Sequence, residues 1–189
     1  MRIILGSTSP WRAEIMRTIV LDFEVMDPGV DEKSIRHPNP QVLTMKLAKA
    51  KSEALRPRIT GDVLLITADK VIVCNGEVRE KPRDVQEARR WLRSYRDHPV
   101  VCVNALVSYN TVTKRERMFM SEAKVWLKGL TDHGIDHLVA NTEAMQCAGA
   151  CAAGHRDWNP FISFIEGGVD GLYGLPRELT RTIIENETT

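Results

Sequence analysis

Three groups of residues in this chain have types and spacing suited to chemistry. The first is Gly6-Ser7-Thr8-Ser9-Pro10-Trp11-Arg12, set between a predicted strand and a predicted helix. A strand-to-helix turn aims backbone N–H groups and the positive helix end at whatever sits above it, an arrangement that binds phosphate. Ser7 and Thr8 add hydroxyls, and Arg12 adds a planar cationic fork. The same residues also read as an ordinary capped helix start. Neither the G-x-x-x-x-G-K-[ST] nor the G-x-G-x-x-G fingerprint occurs. The second group is acidic: Asp31-Glu32 in a proline-bounded loop, and Asp69 inside the aliphatic run Leu64–Val73. A carboxylate in a buried strand is costly unless it is paired or metal-bound. Asp69 therefore points to function, against the alternatives of a solvent-facing position or a local pair with Lys70 or another cation. The third group is basic, Lys51 and Lys81, each of which alone reads as a solvated lysine. Two further pairs read as structural. His133 and His137 stand at metal-compatible i, i+4 spacing without a third ligand nearby, and Cys147 and Cys151 flank small residues as packing side chains.

The elements that must hold these groups follow from periodicity. Arg2–Gly6 is a short buried strand, and Ser9-Pro10 caps a helix with an apolar stripe Trp11, Ile15, Ile19. Asp22–Met26 is expected to be a strand, and Pro28–Pro40 a polar loop. Asn39-Pro40 starts a helix carrying Leu43, Leu47, Ala50 and Ala54 until Pro57 stops it. Val63–Cys74 is a strand closed by Asn75-Gly76, a type I′ hairpin signal. Asp84 and Glu87 resemble a capping box for a helix whose apolar face is Ala88, Trp91, Leu92 and Tyr95. Pro99–Tyr109 and Met118–Leu127 pair around a polar turn, Thr131–Ala140 is helical, Phe161–Glu166 is a strand, and Pro176 opens a last helix to about Glu185. Alternating strands and helices with a central hairpin predict an α/β fold, with a mixed sheet flanked by helices, over one domain, 1–189.

Composition narrows the function classes. With 26 basic against 25 acidic residues the net charge is +1, too little for sequence-independent nucleic-acid binding, which needs a dominant basic surface. Four scattered cysteines exclude a disulfide scaffold, no C-x-x-C suggests structural zinc, and no apolar run approaches the roughly 18 residues of a membrane span. A soluble protein of the cytoplasm is expected, with no nucleic-acid or membrane partner.

Taken in chain order, these pieces resemble the Maf family, a branch of the inosine-triphosphatase-like superfold. Leu5–Arg12 is similar to its Ser-x-Ser-Pro-x-Arg motif, Val30-Asp31-Glu32 to V-D-E, and Leu47–Lys51 to L-A-x-x-K. Ala68–Val73 resembles its A-D-x-V-V strand, and Gly76–Pro82 its hairpin ending in E-K-P or G-K-P. Cys147-Ala148-Gly149 and Gly174-Leu175-Pro176 resemble its last two motifs. The resemblance implies a single elongated domain with an active-site cleft, and hydrolysis of a nucleoside triphosphate between its α- and β-phosphates. It implies that Glu32 and Asp69 hold a divalent cation, Mg²⁺ or Mn²⁺, and that Asp69 is also the base towards the attacking water. Ser7, Arg12, Lys51 and Lys81 fall on phosphate-handling positions, and a homodimer is common among such folds.

The chain also departs from the pattern. Trp11 stands where the family has a second Arg or a Trp, Lys70 replaces a Thr or Gln after Asp69, and Asn104-Ala105 replaces a Thr-bearing stretch. Gly154, followed by His155, replaces a Gln or Glu. These changes bear on base recognition more than on phosphate chemistry. Trp11 and Cys-Ala-Gly resemble the branch associated with modified guanine nucleotides, whereas Glu80 resembles the dTTP/UTP branch. Two other functions stay open: a nucleotidyltransferase using the same metal and phosphates, and a non-catalytic nucleotide-binding protein of the same fold.

Overall fold

A computed structural model describes residues 1–188. Strand β1 (Arg2–Gly6) runs into helix α1 (Pro10–Arg17), whose first turn is capped by Ser9 with Pro10 at the position where a missing N–H costs nothing. Strand β2 (Glu24–Val25) is only the centre of the expected Asp22–Met26 segment, since just two of its residues pair in register with β1. Helix α2 (Pro40–Leu55) starts where Asn39 Oδ1 accepts from Val42 N at 3.0 Å, and it ends two residues before Pro57. Strand β3 (Val63–Cys74) turns through Asn75 and Gly76, at φ 49° and 78° as a type I′ turn requires, into β4 (Glu77–Arg79). Helix α3 (Val85–Ser94), long strands β5 (Val100–Asn110) and β6 (Glu116–Leu127), helix α4 (Asp132–Asn141), strand β7 (Ile162–Glu166) and helix α5 (Arg177–Thr188) complete the order.

The seven strands form one mixed sheet, ordered β2-β1-β3-β5-β6-β7, with β4 on β3. β1 pairs parallel with both β2 and β3, whereas β3–β4 and β6–β7 are antiparallel. The residues group into two compact units. One comprises Met1–Lys70, Asn104–Ser121 and the chain from Tyr173, with a core of Leu5, Met16, Leu64, Ile66, Leu106 and Ile183. The other comprises Val71–Val103 and Glu122–Leu172, with Ile72, Leu92, Tyr95, Val125, Ile135 and Trp158 in its core. Among the described residues no helix is long and apolar enough to cross a membrane.

Several expectations are corrected. Trp11 leaves the predicted apolar stripe of α1: it is 49% exposed, and the helix buries Arg12, Ala13, Ile15 and Met16 instead. The last helix begins at Arg177 and reaches Thr188. Short 3-10 turns at Glu143–Gln146, Ala148–Ala150, Arg156–Phe161 and Val169–Tyr173 fill a stretch with no sequence periodicity.

The start of α3 yields a pH-dependent stability. Asp84 accepts from Glu87 N at 2.8 Å, while Glu87 accepts from Arg83 N at 2.9 Å and from the Arg83 guanidinium at 2.7 Å. The Arg83 side chain, then its backbone N–H, hold the Glu87 carboxyl down at about 2 from its usual 4.5. The cover over Glu87 is the exposed side chains of Arg83 and Arg90, so solvent screens the interaction and its contribution is modest. A depressed carboxylate stabilises above its unfolded value and loses that contribution as pH falls through the folded value. Glu87→Gln should therefore lower Tm at pH 7, with the gap from wild type closing between about pH 4.5 and 2. Thermal melts over that range check this, and a gap that widens at low pH would contradict it.

Candidate active site

Lys51 lies four residues after Leu47 and four before Leu55, which places it on the buried face of α2. There its Nζ lies 2.6 Å from Asp69 Oδ1 and 2.7 Å from Glu32 Oε1. Asp69 stands on β3 two residues beyond Thr67, the partner of the last residue of β1. Its environment is set by this depth: the side chain is 7% exposed. Glu32 reaches the same ammonium from a 3-10 turn, Glu32–Ser34, capped by Asp31 Oδ1 accepting from Lys33 N at 3.2 Å. Lys51 is tied to β3 by a second device, because Thr67 Oγ1 donates to Ala48 O at 2.8 Å, one turn earlier on α2. The partner of Asp69 is thus Lys51, 18 residues earlier in the chain, and not Lys70. Strand alternation sends Lys70 to the opposite face.

Arg12 is buried in the same unit. Its Nη1 donates to Ala68 O at 2.8 Å and to Ser7 Oγ at 3.2 Å, and its Nε donates to Gly174 O at 3.0 Å. Ser7 Oγ also accepts from Ser9 N at 3.2 Å. A hydroxyl that accepts from two N–H groups retains its own proton for an incoming oxygen. Gly174 matters because a Cβ there would lie 3.1 Å from Arg12 Nη2 and 3.3 Å from Lys70 Cβ, on backbone already at φ 84°. Beside it Tyr173 stacks on Trp11, with centroids 5.3 Å apart at 29°. Tyr173 was not singled out in the sequence; its only signal was its place next to the Gly-Leu-Pro motif.

The charges perturb one another. Burial pushes the Asp69 carboxyl above its ordinary range, with the positive charges of Lys51 and Arg12 opposing. Burial likewise pulls the Arg12 guanidinium below its usual value, with Asp69 and Glu32 opposing. Acids and bases whose environments push against their ordinary protonation mark chemically useful sites.

The first unit therefore brings together Ser7, Arg12, Glu32, Lys51 and Asp69, with Trp11 on the exposed side of the same helix. Lys81 belongs to the second unit, exposed in the turn after β4. His133 and His137 both lie exposed on α4. His137 Nε2 is 2.8 Å from Asp157 Oδ2, and His155 caps the Arg156–Phe161 turn through Asp157 N at 3.3 Å. None of Cys74, Cys102, Cys147 and Cys151 is joined in a disulfide.

The class so defined is an α/β protein with a buried, mixed-charge site just beyond the carboxyl end of a parallel strand. The chain belongs to the Maf-like protein family, whose model matches residues 2–187. It is 37% identical to a 7-methyl-GTP pyrophosphatase of Dictyostelium discoideum, over 96% of this chain and 95% of that one. It is 35% identical to a dTTP/UTP pyrophosphatase of Carboxydothermus hydrogenoformans, over 93% of each. A nucleoside triphosphate pyrophosphatase of Synechococcus sp. (strain JA-3-3Ab) is 32% identical over 97% of this chain and 92% of its own.

Proposed function

We propose that this protein is a metal-dependent nucleoside triphosphate pyrophosphatase, releasing a nucleoside monophosphate and pyrophosphate. The observation that carries this is the buried Lys51–Asp69 pair, met by the exposed Glu32, in the same unit as the Ser7–Arg12 turn. Full-length similarity to pyrophosphatases supports it. The donor set fits a hard divalent cation. Two carboxylates converge on the single positive charge of Lys51, and Mg²⁺ is commonly held by one or two carboxylates together with substrate phosphates. Glu32 and Asp69 would hold Mg²⁺ or Mn²⁺. When bound, the cation offsets phosphate charge and makes water a better nucleophile.

The chain's own residues supply the rest. Asp69 accepts a proton as water attacks the α-phosphorus and the bond from that phosphorus to the bridging oxygen breaks. Lys51 holds the Asp69 carboxylate in place and then meets the transferring group. Arg12 and the Ser7 hydroxyl bind phosphate oxygens, and Lys81, assigned on its motif alone, stabilises the departing pyrophosphate. A screen of standard and modified triphosphates with Mg²⁺ and Mn²⁺, with products read by mass, tests this. Monophosphate plus pyrophosphate is expected. Diphosphate plus phosphate, a product formed only with a second acceptor, or nucleotide binding without turnover would overturn it.

Base choice follows from the Trp11–Tyr173 stack. Apolar contact discriminates between substrates by only about 10–200-fold, and Gly154 offers no side chain to a base edge. An electron-poor modified base stacks well on an indole. A modified purine or a pyrimidine triphosphate should therefore be hydrolysed with higher kcat/KM than ATP, and Trp11→Ala should shrink the margin. Kinetics on ATP, dTTP, UTP and 7-methyl-GTP decide it; a preference for ATP would reverse this part of the reading.

A further inference from the structure

Tyr95 ends helix α3 as its C-cap, and its ring belongs to the buried core of the second unit. Its sequence spacing marks it only as an apolar contact, yet its hydroxyl is in use: Tyr95 Oη donates to Gly149 O at 2.6 Å. Gly149 in turn donates its N–H to Glu80 O at 2.8 Å. Glu80 immediately precedes Lys81, and the residue after it, Pro82, is buried with no N–H of its own. The chain of contacts Tyr95–Gly149–Glu80 thus ends on the peptide group that carries Lys81.

Three features show that this arrangement is specified by the sequence. Gly149 adopts φ 65°, and a Cβ there would lie 2.7 Å from Tyr95 Oη and 2.5 Å from Ile72 Cγ2. Ala150 next to it also has a positive φ, 53°, although it carries a Cβ, a conformation that surrounding contacts must enforce. On the other side, Arg79 lies two residues before Lys81 on β4, paired across the strands to Ile72. Its guanidinium carbon is 5.1 Å from the centroid of the Tyr95 ring and 5.7 Å from that of Trp91, and its Nη1 donates to Ser94 Oγ at 2.8 Å. Arg79 before Lys81, and the Glu80 carbonyl beside it, are therefore anchored to the same tyrosine.

We propose that Tyr95 is a positioning residue for Lys81, acting through Gly149 and the Glu80 carbonyl. This rests on the assignment of Lys81 to the phosphates in the function proposed above. A flexible lysine on an exposed turn loses rotational and backbone freedom when it must meet a developing charge, so fixing its peptide beforehand favours the transition state. Removing the hydroxyl releases the Gly149 carbonyl, loosens the turn, and lowers kcat while leaving ground-state binding nearly untouched.

The test is a double-mutant cycle of Tyr95→Phe and Lys81→Ala in the full chain, assayed for pyrophosphate release, with Gly149 amide exchange followed by NMR. Tyr95→Phe should lower kcat by about 3–10-fold with KM within about twofold, speed exchange of the Gly149 amide, and have no further effect once Lys81 is Ala. If Tyr95→Phe is unfolded at the assay temperature, the cycle is run at a lower temperature where circular dichroism shows all four proteins folded, with the same outcomes expected. Wild-type kcat in the Tyr95 variant beside an impaired Lys81→Ala overturns the positioning role and leaves the reading of Lys81 standing. Equal loss from Tyr95→Phe in both backgrounds also overturns it, because the effect would then be general. Full activity of Lys81→Ala removes the assignment of Lys81, and the proposal falls with it.

Discussion

Replacing Asp69 by Asn is expected to lower kcat by about a thousandfold or more, the scale on which lost general-base and electrostatic catalysis is felt. The amide matches the carboxylate in volume, so β3 keeps its packing. What is lost is the charge facing Lys51 Nζ at 2.6 Å, and with it, in the mechanism proposed above, both the proton acceptor and one oxygen donor for a divalent cation. The fold should survive. Burial already disfavours the ionised form of Asp69, and Lys51 keeps Glu32 at 2.7 Å as a partner. Steady-state kcat with saturating Mg²⁺, beside circular dichroism and a thermal melt, measures both parts. A folded Asn variant with near-normal kcat would remove Asp69 from the chemistry.

Arg12→Ala is expected to lower kcat/KM by more than about tenfold and to destabilise the protein as well. The second effect separates Arg12 from a surface phosphate ligand. Its guanidinium satisfies the buried carbonyls of Ala68 and Gly174, and each buried acceptor left unpaired costs about 1–3 kcal/mol. For a chain of this size 1 kcal/mol shifts Tm by about 2–4 °C, so a fall of several degrees should accompany the kinetic loss. Arg12→Lys should recover little of either, because one ammonium cannot reproduce a fork that spans Ala68 and Gly174. An Ala variant with unchanged Tm and reduced kcat/KM would show that the internal hydrogen bonds carry no weight.

The sequence by itself determined most of the elements and named the candidate site residues. Ser9-Pro10, Asn39-Pro40 and Asn75-Gly76 are local signals, written in side chains that cap or turn the backbone beside them, and each holds in the structure. Asp69 stands out because an acid in an aliphatic strand violates the pattern around it, whereas Lys51 alone reads as a solvated lysine and is singled out only by its company and its L-A-x-x-K motif. What tertiary structure alone decided is which charges meet and which side chains serve inside the fold. The Asp69 partner is 18 residues away on a helix, whereas strand spacing offered Lys70. Arg12 is committed to carbonyls 56 and 162 residues distant, and Trp11, read as core, is held outside by Tyr173. Likewise the hydroxyl of Tyr95, whose ring obeys the helical apolar period, finds its acceptor 54 residues on. Periodicity reports which face of an element is covered. A hydrogen bond between distant segments depends on register and packing, which no local pattern records.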